Sequence, residues 1–134
     1  IKEYFKTIQG KFVAPTPIEA QFAGNKHVEQ QCLLGLGMTK TVMVAVVSQT
    51  MRNASKTEIE ASVLQTLETI NATLDKHARM GGAILSYEPW SIENGVLTPT
   101  LKIKRDQISD RFGHYAARLA VASAEQKTLL LEWH

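Results

Sequence analysis

Three cationic side chains lie within four consecutive residues of this sequence, at Lys102, Lys104 and Arg105. In an extended segment successive side chains point to opposite faces, so the two lysines would share one face while Leu101 and Ile103 occupy the other. Ammonium and guanidinium groups bind phosphate or carboxylate oxygens through charge-assisted hydrogen bonds. The residues alone leave two interpretations open, an anion-binding segment and an ordinary solvated charged face.

The residues before these cations predict a tight turn. Asn94 and Gly95 both tolerate positive φ, which a two-residue β-hairpin turn requires. Thr98 precedes Pro99, and a residue before proline favours extended backbone. We therefore expect a hairpin turn at Asn94-Gly95, followed by an extended segment that presents the cations.

The size and charge of the chain limit its class and its partners. With 134 residues the chain fits one domain that can bury a hydrophobic core. Its 15 Lys and Arg residues nearly balance 13 Asp and Glu residues, which gives a net charge of +2. Such a balance requires neither a nucleic acid nor an anionic membrane as partner, and we expect no nucleic-acid partner.

Cysteine, histidine and apolar residues indicate the cellular setting. Cys32 is the sole cysteine, cannot form an internal disulfide and is expected to be a buried, inert thiol in a reducing compartment. The histidines show no metal-ligand spacing, so we predict no metal site; they are His27, His77, His114 and His134. Because no apolar run approaches the ~18 residues of a membrane span, we expect a soluble, cytoplasmic chain.

The amino-terminal third predicts a turn, a helix and a hairpin. Two short extended pieces flank a turn near Gln9-Gly10-Lys11. Thr16 as N-cap and Glu19 three residues later form a capping box, which predicts a helix that ends near Ala23. Two β-branched segments, 28–36 and 41–48, predict an antiparallel hairpin. The second segment is apolar on both faces and should be central in its sheet.

The next part of the chain predicts a long amphipathic helix and a strand. Ser55 and Glu58 form a second capping box, and apolar residues follow at helical spacing over about residues 56–77. A strand is expected at 83–87, and Trp90 is interpreted as a packing residue. After Arg105 a helix is expected with an interruption at Gly113, and residues 116–131 are compatible with more helix whose packing partner stays open.

These elements together predict one small α/β (α+β) domain. We expect a three-to-five-stranded, mainly antiparallel sheet with hairpins, flanked by three or more helices, one of them long and amphipathic. No repeat or flexible linker divides the chain.

Two segments resemble motifs of one enzyme family. The run Thr98-Pro99-Thr100-Leu101-Lys102-Ile103-Lys104-Arg105 closely resembles the final motif of long-chain fatty acid–CoA ligases, in the AMP-forming adenylate superfamily. The first nineteen residues resemble the hinge motif of the same family. The similarity covers roughly residues 1–112 and implies the small, mobile carboxy-terminal domain, with a hinge and loop segment at 1–14, a core at 15–112 and a tail at 113–134.

The resemblance also assigns roles to individual residues. Lys102 aligns with the catalytic lysine, although Leu101 stands where the superfamily commonly has glycine, and Lys104 is the reserve candidate. Lys2 aligns with the hinge. Gly10 and Lys11 belong to a loop on the side of the pantetheine arm of coenzyme A. Lys6 and Arg105 are two auxiliary cations.

The implied function is that of a mobile lid domain within a larger ligase. There it would supply the lysine for ATP-dependent adenylation of a fatty acid, then rotate to allow thioester formation with coenzyme A. The full enzyme would use ATP, Mg²⁺ and coenzyme A and would contain a large amino-terminal domain. The isolated domain should bind none of these and be inactive. The alternative is a free-standing α/β binding module that recognises an anionic ligand or protein partner through Lys102, Lys104 and Arg105.

Overall fold

The computed structural model describes residues 3–134, so the predicted hinge residue Lys2 lies outside the described residues. Within these described residues, three α-helices and six β-strands follow one another. In order they are β1 (Phe5–Lys6), β2 (Phe12–Val13), α1 (Pro15–Phe22), β3 (Val28–Leu34), β4 (Thr41–Val47), α2 (Lys56–Asn71), β5 (Met80–Ser86), α3 (Arg105–Gln126) and β6 (Leu130–Trp133). Short 3₁₀ turns lie at Gln49–Met51 and Lys76–Ala78.

The amino-terminal strands form a two-stranded antiparallel ribbon, as predicted. Phe5 pairs with Val13, and Lys6 pairs with Phe12. Gly10 adopts φ 79° in the connecting turn, a conformation that glycine reaches without steric cost. The N–H of Thr7 donates to the carbonyl of Lys11 at 2.9 Å and closes the loop.

The main sheet has four strands in the order β3-β4-β5-β6, and the small α+β fold class is confirmed. The predicted antiparallel hairpin is the β3–β4 pair, and β4 is central as expected. The other two pairings are parallel because the crossovers through α2 and α3 return the chain to the same end of the sheet. The sheet is thus mixed.

The central strand β4 separates two hydrophobic cores. Met43, Ala45 and Val47 belong to the core that α1 and α2 cover, whereas Val42, Val44 and Val46 belong to the core under α3. Both faces of β4 are therefore buried, which explains its continuous apolar sequence. Trp90 lies in the second core at 6% exposure, so its interpretation as a packing residue is confirmed.

The boundaries of the first two helices differ from the sequence prediction. Helix α1 begins at Pro15 after Ala14, so the expected capping box at Thr16 is wrong; proline suits this first helical position. Ser55 does cap α2, accepting from the N–H of Glu58 at 3.1 Å. Helix α2 ends at Asn71 rather than near residue 77, because the Asn71 side chain bonds both the N–H and the carbonyl of Met80.

The carboxy-terminal part also departs from the prediction. Helix α3 runs without interruption through Gly113, so the expected break there is wrong. The helix stops where Lys127 adopts a left-handed conformation, so residues 116–126 are helical and residues 130–131 belong to a strand. Three residues after Lys127 the chain forms β6, because its apolar side chains complete the edge of the sheet beside β5. The strand expected at 83–87 is β5, which begins three residues earlier.

Candidate functional site

Lys102 lies at the end of a four-residue turn. The N–H of Thr98 donates to the carbonyl of Lys102, and the N–H of Leu101 donates to the carbonyl of Thr98, both at 2.8 Å. A single antiparallel bridge joins Leu97 and Ile103 on either side. The chain therefore reverses at Pro99-Thr100, and the expectation of extended backbone at Thr98-Pro99 is wrong.

The hairpin turn expected at Asn94-Gly95 is also wrong. The side chain of Asn94 accepts the N–H of Ser91 at 3.0 Å and donates to the carbonyl of Pro89 at 3.0 Å. These bonds hold residues 89–96 in a compact loop in place of two paired strands. Asparagine forms such local bonds readily because its short side chain reaches nearby backbone groups.

Leu101 has an unusual backbone conformation for its residue type. Its φ is +65°, in the left-handed region, and its side chain is 67% exposed. The expected apolar face therefore consists of Ile103 alone, which packs against the core under α3. The superfamily's glycine at this place fits the same observation, because glycine adopts positive φ without strain. Leu101 takes this conformation directly before Lys102.

The two lysines of the segment are exposed and differ in their backbone anchoring. The N–H of Lys102 donates to the hydroxyl of Thr98 at 3.0 Å. The N–H of Lys104 donates to the carbonyl of Val96 at 2.8 Å, and Lys104 directly precedes α3. The backbone of both residues is thus fixed, while their ammonium groups face solvent.

Arg105 is a partly buried ion-pair residue, in contrast to the two lysines. Its Nη1 atom contacts Glu19 Oε2 at 2.6 Å and the carbonyl of Leu33 at 2.7 Å. Its Nε and Nη2 atoms contact the two carboxylate oxygens of Glu3 at 3.1 and 3.0 Å. We call Arg105, Glu3 and Glu19 the Arg105 cluster. The guanidinium nitrogens of Arg105, the third cation of the segment, are thus already hydrogen-bonded within the protein.

The cluster changes the proton affinity of its members. Burial opposes the charged guanidinium, but the hydrogen bonds to Glu19 and Glu3 outweigh it and raise the pKa of Arg105. The hydrogen bond from Arg105 lowers the pKa of Glu3. Cys32, whose Sγ lies 3.3 Å from Arg105 Nη1, is buried as predicted, and burial raises the pKa of its thiol to about 12. A thiol that stays protonated at neutral pH is a poor nucleophile.

The loop that carries Gly10 and Lys11 rests on the β3–β4 turn. The N–H of Ile8 donates to the carbonyl of Met38 at 3.0 Å, and the N–H of Gly37 donates to the carbonyl of Lys6 at 2.9 Å. The Lys6 ammonium lies 5.2 Å from the centre of the Phe12 ring. Gly10 and Lys11 themselves are exposed at the tip of the ribbon.

A groove of about 470 Å³ separates this ribbon from the start of α3. Its apolar wall includes Tyr4, Phe12 and Leu36, which are 52%, 63% and 71% exposed. Glu3 and Arg105 form part of its polar wall. The structure therefore brings the amino-terminal segment and the start of α3 to one surface.

The sequence interpretation missed the partners of Arg105. Glu3 and Glu19 are 102 and 86 positions away, so neither helical nor strand periodicity indicates the contact.

Within residues 3–134, the side chains provide no group of three or more His, Cys, Asp or Glu suited to a metal ion. Among the helices in this part of the chain, none is long and apolar enough to cross a membrane.

Comparison with known proteins places the chain in one enzyme family. The model of the AMP-binding enzyme C-terminal domain matches residues 3–118. Long chain acyl-CoA synthetase 6, peroxisomal, of Arabidopsis thaliana is 32% identical over 131 residues, which cover 83% of this chain and 18% of the relative. Long-chain-fatty-acid–CoA ligase 1 of Homo sapiens is 30% identical over 129 residues, with the same two coverages.

Solved structures show the same fold. The A-PCP didomain of carboxylic acid reductase from Segniliparus rugosus, in complex with AMP, aligns with a TM-score of 0.75 at 24% identity, covering 92% of this chain and 18% of that one. This chain thus spans about a fifth of the length of the proteins it matches. Because the family model covers most of the chain, the resemblance seen in the motifs is confirmed, and the chain belongs to the family of AMP-binding enzyme C-terminal domains.

Proposed function

We propose that this chain is the mobile carboxy-terminal lid domain of a long-chain fatty acid–CoA ligase. The observation that carries the proposal is the exposed Lys102 on a hydrogen-bonded turn, in a chain whose relatives are named long-chain acyl-CoA synthetases. In the full enzyme the domain supplies this lysine to an active site on a large amino-terminal domain and then rotates away.

Lys102 acts in the first half-reaction. Adenylation joins a fatty acid carboxylate to the α-phosphorus of ATP and expels pyrophosphate, so negative charge accumulates in the transition state. A positioned ammonium group stabilises that charge, and lysine is suited to compact phosphate contacts. The turn anchors the Lys102 backbone through Thr98 while leaving the side chain in solvent, as a residue that enters another domain's site requires.

The second half-reaction requires Lys102 to leave. Rotation about Lys2 withdraws the lysine and brings the Gly10–Lys11 loop towards the pantetheine arm of coenzyme A. One or two backbone residues can absorb such a rotation. The ribbon supports this role because its exposed tip is held on the β3–β4 turn as part of one body.

Substrates and Mg²⁺ belong to the large domain in this proposal. ATP and the fatty acid bind to the large domain, and the isolated chain is expected to be inactive. Mg²⁺, when bound, neutralises phosphate charge. We place the enzyme in the cytoplasm, although two Arabidopsis relatives are named peroxisomal.

The alternative of a free-standing anion-binding module receives less support. It relied on three cations, but the Arg105 guanidinium already contacts two carboxylates and a carbonyl. Two exposed lysines remain in the segment, and a pair of surface lysines is a weak basis for a dedicated anion site.

Replacing Lys102 with alanine tests the proposal. In the full ligase, Lys102→Ala should lower the rate of acyl-adenylate formation by roughly 10²-fold or more, the scale of losing one preorganised electrostatic contact. The transfer of a premade acyl-adenylate to coenzyme A should proceed at close to the normal rate. Pyrophosphate release measures the first step and thioester formation measures the second.

Lys104→Ala is the matched control, because Lys104 is an exposed lysine two residues away. It should leave both half-reactions nearly unchanged. A larger loss of adenylation in Lys104→Ala than in Lys102→Ala would move the catalytic role to Lys104. Equal losses of both half-reactions in Lys102→Ala would contradict the rotation.

A further inference from the structure

We propose that Arg105 is a positioning residue that connects the segment carrying Lys102 to the segment that leads into the hinge, so that both move as one body. The inference rests on the proposed function, because it concerns how Lys102 is delivered. Arg105 touches no substrate in this account and acts through the position of Lys102.

The guanidinium of Arg105 joins segments that are distant along the chain. Its inner nitrogen, Nη1, binds Glu19 of α1 and the carbonyl of Leu33 in β3. Its outer edge binds both carboxylate oxygens of Glu3. Two parallel bonds to one carboxylate fix the orientation as well as the distance between the groups. One side chain therefore ties α3, α1, β3 and the amino-terminal segment together.

The inner side of the cluster is rigid. The side chains of Arg105 and Glu19 are only 20% and 16% exposed. Glu19 Oε2 also accepts the N–H of Leu33 at 2.7 Å, so its position is set from two directions. Removal of the guanidinium would leave a mostly buried carboxylate without its cationic partner, which is costly.

This inner side also fixes the start of α3. Arg105 is the first residue of α3 and directly follows Lys104, whose carbonyl accepts the N–H of Ile108 at 3.2 Å. Lys104 in turn bonds Val96 across the turn that presents Lys102. A shift of the Arg105 backbone would therefore be transmitted to Lys102 through the two intervening residues, Ile103 and Lys104.

The outer side of the cluster contains Glu3, the residue next in sequence to the proposed hinge. Glu3 directly follows Lys2 and is half-exposed, with 55% of its side chain in solvent. The contact with Arg105 fixes the side chain of Glu3 to the body that carries Lys102. When the domain rotates, Glu3 and the Lys102 turn then keep a fixed relation. Such a relation matters because a misplacement of ~1 Å can cost about 10²-fold in rate.

The experiment uses Glu3→Gln, since an exposed glutamate can be replaced with little risk to folding. Glutamine retains the size of the side chain but loses the charge and one of the two acceptors. In the full ligase, adenylation kcat should fall by about 5–20-fold, a partial misplacement on the scale above. The KM values for ATP and fatty acid should stay unchanged, because in this proposal the large domain binds both.

A double-mutant cycle separates positioning from other effects. If Glu3 acts through Lys102, then Glu3→Gln should cause no additional loss of adenylation in the Lys102→Ala background. Glu132→Gln is the matched control, since Glu132 is also paired at the surface, with His134, and its side chain is 39% exposed. This control should leave the rate of adenylation at the level of the unmodified enzyme.

A second measurement is independent of activity. Arg105→Lys retains the charge but loses the planar fork, and it should raise amide hydrogen exchange at Ile8 and at Lys102 together. Glu132→Gln should raise exchange at neither amide.

Each outcome decides between the two proposals. An unchanged adenylation rate in Glu3→Gln, or an additive loss in the double variant, would overturn the positioning role while the proposed function stands. Normal adenylation in Lys102→Ala would overturn the proposed function. In that event, exchange that rises in one segment only would show separately that Arg105 does not couple the two segments.

Discussion

Leu101 adopts a backbone conformation that is unfavourable for its residue type. Its φ of +65° places a side chain with a Cβ in a region that costs non-glycine residues roughly 1–2 kcal/mol. The leucine side chain is mostly exposed, so it regains little of this cost by burial. The turn bonds between Thr98, Leu101 and Lys102 are what hold this conformation. The turn therefore holds a leucine in a conformation that glycine would adopt without strain.

We predict that Leu101→Gly stabilises the chain by up to about 1 kcal/mol. Relief of strain at positive φ exceeds the loss of entropy that glycine brings. Urea denaturation measures the change. Leu36→Gly is the matched control, because Leu36 is similarly exposed, at 71%, and lies outside the left-handed region. This substitution should destabilise the chain. Equal destabilisation of both variants would show that Leu101 carries no strain.

Residue types alone could predict part of the cation-bearing segment. Lys102 and Lys104 were expected on a solvent-facing surface, and both are exposed. Arg105 belongs to the same run but is only partly exposed, because two carboxylates neutralise its charge. Those carboxylates come from distant parts of the chain. Sequence spacing reports the neighbours of one helix or strand and carries no information about such contacts.

Elements with a strong local pattern were predictable. The β-branched residues of β3 and β4 predicted two strands and their antiparallel pairing. The helical spacing of apolar residues predicted α2. Their ends were less predictable, because they depend on single contacts. The end of α2 is an example, since it depends on the Asn71 side chain bonding the backbone of Met80.

Strand β6 could not be predicted from its own residues. Leu130–Trp133 is four residues long and follows an alanine-rich helix, so local propensity favoured more helix there. Pairing with β5 overrides that preference. Trp133 adds to it by stacking on Tyr87 at 5.1 Å and donating from Nε1 to Glu60 at 2.7 Å. The last strand is thus an integral part of the domain.

We predict that Trp133→Ala destabilises the chain by about 3 kcal/mol, because it removes a large partly buried ring and its hydrogen bond. Thermal unfolding followed by circular dichroism measures the loss. Val121→Ala is the control on the exposed side of α3, where the side chain is 47% exposed, and it should change stability by less than about 0.5 kcal/mol. A small effect of Trp133→Ala would mean that β6 is dispensable for the fold.

Residues 3–134 form three layers, in which two layers of helices enclose the four-stranded sheet. Helices α1 and α2 cover one face, and α3 covers the other. The ribbon, the Lys102 turn and the Arg105 cluster are all attached to this body through backbone or ion-pair contacts. A domain of this kind can rotate about a point outside it without internal rearrangement, which is what the proposed lid movement requires.

The two cores should unfold together, because every residue of β4 is buried and its alternate side chains belong to opposite cores. Loss of either core would expose one face of the central strand, so we predict a single cooperative transition for the chain. The two tryptophans report on the two faces, since Trp90 lies in the core under α3 and Trp133 packs against the core under α1 and α2. Fluorescence of Trp90→Phe and Trp133→Phe variants in urea, each compared with its own circular dichroism curve, should give coincident midpoints. If the fluorescence midpoint differs from the circular dichroism midpoint in either variant, the two faces unfold separately, which would contradict a single cooperative transition.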